Sequence, residues 1–486
     1  MISMDTEIEK FALQNALKFQ GKANPGAVLG QVFAENPTLK EQAKELSKKI
    51  QGIIKEVNSL SLEEQKKRLQ KIAPELLEEK KEKKKRELPE LPNAQGLVVT
   101  RIPPEPSKYL HLGHAMSFLI NYMYAKKYNG KCVLRLDDTN PEKAKKEYYD
   151  SLYEDLLWLR IAPDKTLIAS QEMDTFYKHA EVLINKERAY VCSCDKEKVS
   201  EYRTKAKICD HRTQSTHKNM ELWKDMLAKK YQAGEYTLRL VGEMDCSNAV
   251  MRDPILFRIV KAQHTITKDK YVLWPTYDFE TVVGEEITGV THILRSNEFG
   301  EMRIELQDYI KDLLGFKKQE VLQYGRMTIH GFETQGRVIR EMIEKGEVQG
   351  WDDPRLMTLK ALRRRGILPE TLYELVLEVG LSPTATNMDW SVVASINRKI
   401  IDPTTKRYFF VKNPKKIKVE NTLKQAKAPL HPEHKEMGVK TLHFDDEFYV
   451  QDEIEKGKVY RFMHLFNFKD NKYISEPYDA ELKAKI

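Results

Sequence analysis

From Met1 to about Glu90 the apolar positions recur every three or four residues, as at Phe11, Leu13, Ala16 and Leu17, which predicts helices. Val57-Asn58-Ser59-Leu60-Ser61 reads as a break with a serine cap for the helix that follows. Residues 1–93 are therefore expected to form a helical appendage, bounded by the charged run Lys80-Lys81-Glu82-Lys83-Lys84-Lys85-Arg86 and by Pro89 and Pro92. The period then changes. Gly96–Arg101 predicts a strand, a Pro-rich loop follows, Leu112–Tyr128 predicts a helix and Lys131–Leu136 a second strand, which together make a βαβ unit. A further helix is expected near Ala144–Leu159. A Cys-bearing stretch, residues 191–252, then interrupts the pattern before the strand-like Ile255–Val260 and Tyr271–Leu273 resume the sheet. The reading is an α/β nucleotide-binding fold split into 94–190 and 253–325 by an insertion. Helical patterns (Leu356–Arg365, Thr371–Val379) fill 326–402, and short alternating segments (Arg407–Val411, Thr441–Phe444, Phe448–Gln451) make 403–486 β-rich.

Composition narrows the class. The 486 residues, 41% of them hydrophobic, suit a globular protein of several domains. The five cysteines are an odd number, and no basic flank precedes an apolar run at the N-terminus, so a reducing cytoplasm is the expected location. No apolar run approaches the roughly 18 residues that span a bilayer. The excess of 81 Lys+Arg over 73 Asp+Glu suits a polyanionic partner but equally a solvated surface.

The sharpest stretch is Arg101-Ile102-Pro103-Pro104-Glu105-Pro106-Ser107-Lys108-Tyr109-Leu110-His111-Leu112-Gly113-His114, between the first strand and the first helix of the βαβ unit. A helix N-terminus there offers unpaired N–H groups to phosphate, and Gly113 has no side chain to hold a nucleotide off. His111 and His114, three apart, share a face and could both donate to phosphate oxygens in a transition state. These residues resemble the "HIGH" signature region of the glutamyl- and glutaminyl-tRNA synthetases. The resemblance extends to Leu134-Arg135-Leu136-Asp137-Asp138-Thr139-Asn140-Pro141, to Trp274-Pro275-Thr276-Tyr277-Asp278-Phe279, and to Gly350-Trp351-Asp352-Asp353-Pro354-Arg355 with Leu362-Arg363-Arg364-Arg365-Gly366. Lys108 departs from it, since the family usually has Gly or Asn there.

The resemblance implies a class I synthetase: a Rossmann-type catalytic domain with an inserted acceptor-end-binding region, a helical stem-contact domain and a C-terminal anticodon-binding β-barrel, of which a good part is missing by Ile486. It implies ATP with Mg2+, L-glutamate and tRNA(Glu); tRNA(Gln) as a further substrate and a protein partner for the N-terminal helices are left open. A glutamate site must neutralise two carboxylates and hold one ammonium. By resemblance Arg101, Glu105, Asp137 and Tyr277 supply it. Arg295 stands where the glutamyl branch pairs an arginine with the side-chain carboxylate and the glutaminyl branch has a smaller uncharged residue. A glutamine amide would leave a buried arginine uncompensated.

Three further expectations follow. Cys192, Cys194, Cys209 and His211 supply a zinc-type ligand set, although one residue between the first two is tighter than the usual two to four. Lys360, Arg363, Arg364 and Arg365 resemble the basic helix that touches the inside corner of tRNA, where phosphate contacts position without reading sequence. The second class I signature, the "KMSKS" loop, should follow Tyr324–Ile329, yet its lysine-bearing core falls on Gln335-Gly336-Arg337-Val338. Both lysines are missing; one lost preorganised donor costs roughly 3–4 kcal/mol. Arg337 is the adjacent substitute, with Arg340 or Arg326 as others. The alternatives are a catalytically weakened or silent tRNA-binding paralogue, and a glutaminyl enzyme, which Arg295 argues against.

Overall fold

The computed structural model describes residues 4–19, 21–36, 39, 43–76, 86–479 and 482; the Lys80–Lys85 part of the charged run lies outside the described residues. The chain divides into two compact units, Met1–Glu87 and Leu88–Ile486.

In the first unit α1 (Met4–Lys18), α2 (Pro25–Glu35), α3 (Ala43–Ser59) and α4 (Leu62–Ile72) enclose a core of Ile8, Phe11, Leu13, Val28, Ile50, Ile54 and Leu69. The expected serine cap is present. Ser61 accepts from Glu64 N, and the Glu64 carboxylate accepts from Ser61 N, so two orphan donors at the start of α4 are satisfied. Buried Gln65 donates to Val57 O at 2.8 Å and to Gly21 O at 2.9 Å, tying α4 to the last turn of α3 and to the α1–α2 connection.

The second unit opens with β1 (Val99–Ile102), α5 (Leu112–Lys127), β2 (Lys131–Leu136), α6 (Lys146–Trp158) and β3 (Lys165–Ile168), a parallel sheet in the order β1-β2-β3. After α7 (Met173–Asn185) the chain forms β4 (Ala189–Cys192), α8 (Lys196–Thr204), α9 (Thr216–Leu227), β5 (Thr237–Leu240), β6 (Ile255–Ile259) and β7 (Leu273–Pro275). The strands Ile255–Val260 and Tyr271–Leu273 were expected to resume the parallel sheet. Instead β6 and β7 extend an antiparallel sheet in the order β4-β5-β6-β7 over Trp223, Phe257 and Trp274. An apolar strand run is compatible with either partner, and here the local antiparallel neighbours take it.

The parallel fold returns through α10 (Tyr277–Thr288), which ends on Gly289 at φ 68°, β8 (His292–Ser296), α11 (Gly300–Leu314) and β9 (Glu320–Tyr324). β8 and β9 pair in parallel, and Thr291 N donates to Val99 O at 2.9 Å, which sets β8 beside β1. The α/β expectation holds. β10 (Met327–Ile329), α12 (Gly336–Glu344), α13 (Leu359–Arg364), α14 (Pro369–Val379), β11 (Thr386–Met388) and α15 (Trp390–Ile401) follow. A Cβ on Gly325, just before β10, would lie 2.1 Å from Thr384 O, so no side chain fits there.

The C-terminal strands are β12 (Lys415–Lys418), β13 (Gln425–Pro429), β14 (Val439–His443), β15 (Glu447–Val450), β16 (Val459–Phe462), β17 (Phe466–Lys469) and β18 (Lys472–Ser475). They pair as β12-β15, β13-β14 and β16-β17-β18, so the expected barrel is corrected: among the described residues no closed barrel forms. The strands are four or five residues long, and the β12-β15 and β16-β17-β18 groups meet through an aromatic cluster of Phe448, Phe466 and Phe468 and a bridge at Glu420–Lys472, without a continuous ladder. The strand expected at Arg407–Val411 is irregular, with Tyr408, Phe409 and Phe410 exposed.

Candidate active site

A cavity of about 420 Å3 opens where β1, β2 and β8 end, against the start of α5. Such a place, at the carboxyl edge of a parallel sheet, is where open α/β folds bind ligands. Arg101, Glu105, His111, Gly113, His114, Asp137, Tyr277 and Arg295 all line it, as do Lys108, Glu298, Arg326 and Gly336. Residues far apart in the chain are thus brought together.

The histidines form one wall. His111 caps α5: its Nδ1 accepts from Gly113 N at 3.1 Å, while His114 Nδ1 accepts from His111 N at 3.2 Å. The ring centroids are 3.8 Å apart. A Cβ on Gly113 would lie 3.0 Å from the His111 ring, so a larger residue there would push the ring from its place. Burial, and after it Lys108 and Arg326, push His111 down to about 3; burial, His111 and Lys108 hold His114 well below its usual value. Both imidazoles are therefore neutral at pH 7. With each Nδ1 accepting a backbone N–H, the proton sits on Nε2, and each ring is a neutral donor.

The opposite wall is a buried charge network. Arg101 is 2% exposed; its Nη1 donates to Leu294 O at 3.2 Å and its Nε lies 3.5 Å from Glu285. Burial lowers the Arg101 guanidinium, and Glu285 offsets it. Arg295, 3% exposed, donates from Nη1 to the amide oxygen of Gln307 at 2.9 Å, and Gln307 donates to Asp278 at 3.1 Å. Burial raises the Tyr277 phenol, while Arg295 and Arg101 pull it down. Asp137 lines the cavity, but both its oxygens accept from Arg135, at 2.6 and 2.9 Å. Glu105 is exposed at the rim.

Glu285 was given no role by the sequence, yet it is fully buried and lies within 3.9 Å of Arg101, Arg135 and Lys311. It is the carboxylate around which three cations are gathered. The sequence carried no local signal for it, because its partners come from β1, β2 and α11.

Arg337 does not line the cavity. It is the second residue of α12, 83% exposed at its side chain, and faces Glu341 at 3.6 Å on its own helix. Loop register located it near phosphate; the direction of α12 turns it to solvent. Arg326 does line the cavity, held by Glu298 at 2.9 Å.

In the insertion Cys192, Cys194, Cys209 and His211 bring their ligand atoms within 4.8 Å of one another, with separations such as 3.7 Å (Cys192–Cys209), 3.5 Å (Cys194–Cys209) and 3.6 Å (Cys194–His211 Nδ1). A tetrahedral zinc with Zn–S near 2.3 Å and Zn–N about 2.0–2.1 Å sets ligand edges of roughly 3.5–3.8 Å. The donor set therefore fits zinc. His211 Nε2 meets Ser193 Oγ at 3.0 Å, which leaves Nδ1 for the ion, and Arg239 donates toward Cys192 Sγ at 3.8 Å.

The basic cluster is not one open face. Arg363 donates to buried Asp155 at 3.0 Å, Arg365 lies 3.6 Å from the Trp390 ring centre, and Lys360 lies 4.7 Å over Tyr109. Burial pushes Asp155 up to about 7 although Arg363 pulls it down. Arg364, exposed, meets exposed Asp352 at 3.3 Å.

The fold and the cavity thus define a nucleotide-type switch-point site with buried arginines on one side and neutral imidazole donors on the other. Residues 97–403 match the family described as tRNA synthetases class I (E and Q), catalytic domain, and residues 405–484 match its anti-codon binding domain. The chain is 42% identical over 472 residues to a protein of Pyrococcus furiosus named glutamate–tRNA ligase, covering 94% of this chain and 82% of that one. It is 40% identical to another of that name from Nitrosopumilus maritimus, covering 97% and 83%. The chain belongs to the class I tRNA synthetases of the glutamate and glutamine family. Among the described residues no helix is long and apolar enough to cross a membrane.

Proposed function

We propose that the chain ligates L-glutamate to tRNA(Glu), using MgATP to form a glutamyl adenylate and pyrophosphate before the terminal ribose hydroxyl takes the glutamyl group. The observation that carries this reading is the pairing of two buried arginines, Arg101 and Arg295, with two neutral imidazoles across one cavity. Arg295 takes the side-chain carboxylate, Arg101 helps to fix the α-carboxylate, and the Tyr277 hydroxyl orients the substrate. Because Asp137 is committed to Arg135, it acts mainly by holding that arginine and offers the ammonium only its outer lone pairs. His111 and His114 donate from Nε2 toward phosphate oxygens as charge builds there, beside the N-terminal dipole of α5. Catalysis is positioning and charge stabilisation, with no covalent enzyme intermediate.

Zinc held by Cys192, Cys194, Cys209 and His211 would staple the insertion and take no part in the chemistry. Residues 326–402 act as the stem-contact region and 405–484 as the anticodon-binding part. The second reading, a weakened paralogue, draws on the two lysines missing at Gly336 and Val338. ATP–pyrophosphate exchange with glutamate and tRNA(Glu) tests the first reading: measurable exchange supports it, and none supports the second.

A further inference from the structure

Two departures from the family pattern, far apart in sequence, meet in space. At position 108 this chain has a lysine where a small or neutral residue is usual, and at position 336 it has a glycine where the signature loop usually carries its first lysine. Both line the active-site cavity. A Cβ built on Gly336 would lie 3.7 Å from Lys108 Cβ and 3.9 Å from Lys108 Cδ, and those are its nearest neighbours. A side chain at 336 would therefore start in ordinary van der Waals contact with the Lys108 stem, so the two positions open onto the same gap. It belongs to the loop between β1 and α5, three residues before His111, and its charge acts on both imidazoles. Lys108 is exposed, and among the described residues no carboxylate pairs with it. Arg326, the other cation on this wall, is already engaged by Glu298. Arg337 faces Glu341, and Val338 at the second lysine position carries no charge.

We propose that Lys108 is a catalytic residue that replaces the first lysine of the signature loop, reaching the triphosphate from the opposite side of the same gap. This rests on the adenylate-forming reading above. In that step a glutamate carboxylate oxygen bonds to the α-phosphorus. The bond from that phosphorus to the bridging oxygen breaks, and its electron pair leaves with pyrophosphate. Lys108 transfers no proton; its ammonium stabilises the charge that gathers on the leaving phosphates. The loss at 336 and the gain at 108 keep one ammonium in one place. Attachment to the β1–α5 loop, which is anchored by the α5 cap, makes that ammonium less dependent on movement of the signature loop.

The test uses the full chain and three variants, Lys108→Met, Lys108→Arg and Lys108→Met/Gly336→Lys, in ATP–pyrophosphate exchange with glutamate and tRNA(Glu). Position 108 is exposed, so these changes should leave folding intact, which melting curves check. The expected result is a fall of about a hundredfold in kcat for Lys108→Met, a glutamate KM within about threefold of wild type, and partial retention in Lys108→Arg. Gly336→Lys in the Lys108→Met background should restore at least about tenfold. Unchanged kcat in Lys108→Met, or no recovery in the double variant, overturns the assignment. Should the wild type itself show no exchange, the ligase reading fails separately. Calorimetric binding of inorganic tripolyphosphate then decides the Lys108 site alone, weaker in Lys108→Met if the site is real and equal in both if it is not.

Discussion

Arg295 is the residue on which the amino-acid preference turns. It is buried beside Tyr277 with Gln307 holding one end of its guanidinium, so a carboxylate placed there is met by a fixed, desolvated donor. Arg295→Ala should raise the KM for glutamate by about a hundredfold while the KM for ATP stays within a few fold, a split that steady-state kinetics reads directly. Arg337→Ala, by contrast, should change exchange by less than about threefold, because that guanidinium lies on the solvent side of α12. His111 carries a pH signature. Its proton affinity is lower in the folded state, about 3, than in the unfolded chain, so between pH 6.5 and 3 the unfolded state binds more protons and stability falls as pH falls. Melting of a His111→Gln variant between pH 7 and 4 should therefore decline less than that of the wild type. The residues of the Arg101–His114 loop were legible because strand, loop and helix start lie consecutively in sequence. Glu285 was not, since a glutamate in the middle of a helix ordinarily marks a solvated face, and only the fold shows that β1, β2 and α11 surround it.

At the scale of elements, helices and strands of the βαβ unit fall within two or three residues of expectation, as Lys131–Leu136 and Leu112–Lys127 show. Pairing was less legible: β6 and β7 carry the apolar runs expected of the central sheet but complete the antiparallel sheet of the insertion. That sheet begins at β4, which ends on Cys192, and the four-ligand cluster closes the loops around it. Protein purified without chelator should contain one equivalent of zinc, and Cys209→Ser should lose it; metal analysis well below one equivalent in the wild type would dispose of the staple. On α13 the basic residues differ in their tasks. Arg363→Ala uncovers buried Asp155 and should destabilise the fold by about 1–3 kcal/mol in a denaturant titration.

Over the whole molecule, the order of blocks from Arg101 to Gly366 carried more information than any single block, because one helix-start histidine pair is common and four matched blocks in sequence are not. The C-terminal residues were the least legible. Their alternation was read as part of a barrel, whereas the short strands form three groups, two of which share an aromatic cluster, and strand closure depends on long-range partners that alternation does not specify. The central claim is that Arg295, Arg101, the two imidazoles and Lys108 act together on glutamate, ATP and tRNA. It is tested most directly by aminoacylation with the purified full chain on separate tRNA(Glu) and tRNA(Gln), each with glutamate or with glutamine. The account predicts ATP-dependent glutamyl-tRNA(Glu), formed at least about a hundredfold faster with glutamate than any glutaminyl product. Preference for glutamine, or no aminoacyl-tRNA with either amino acid, would contradict it.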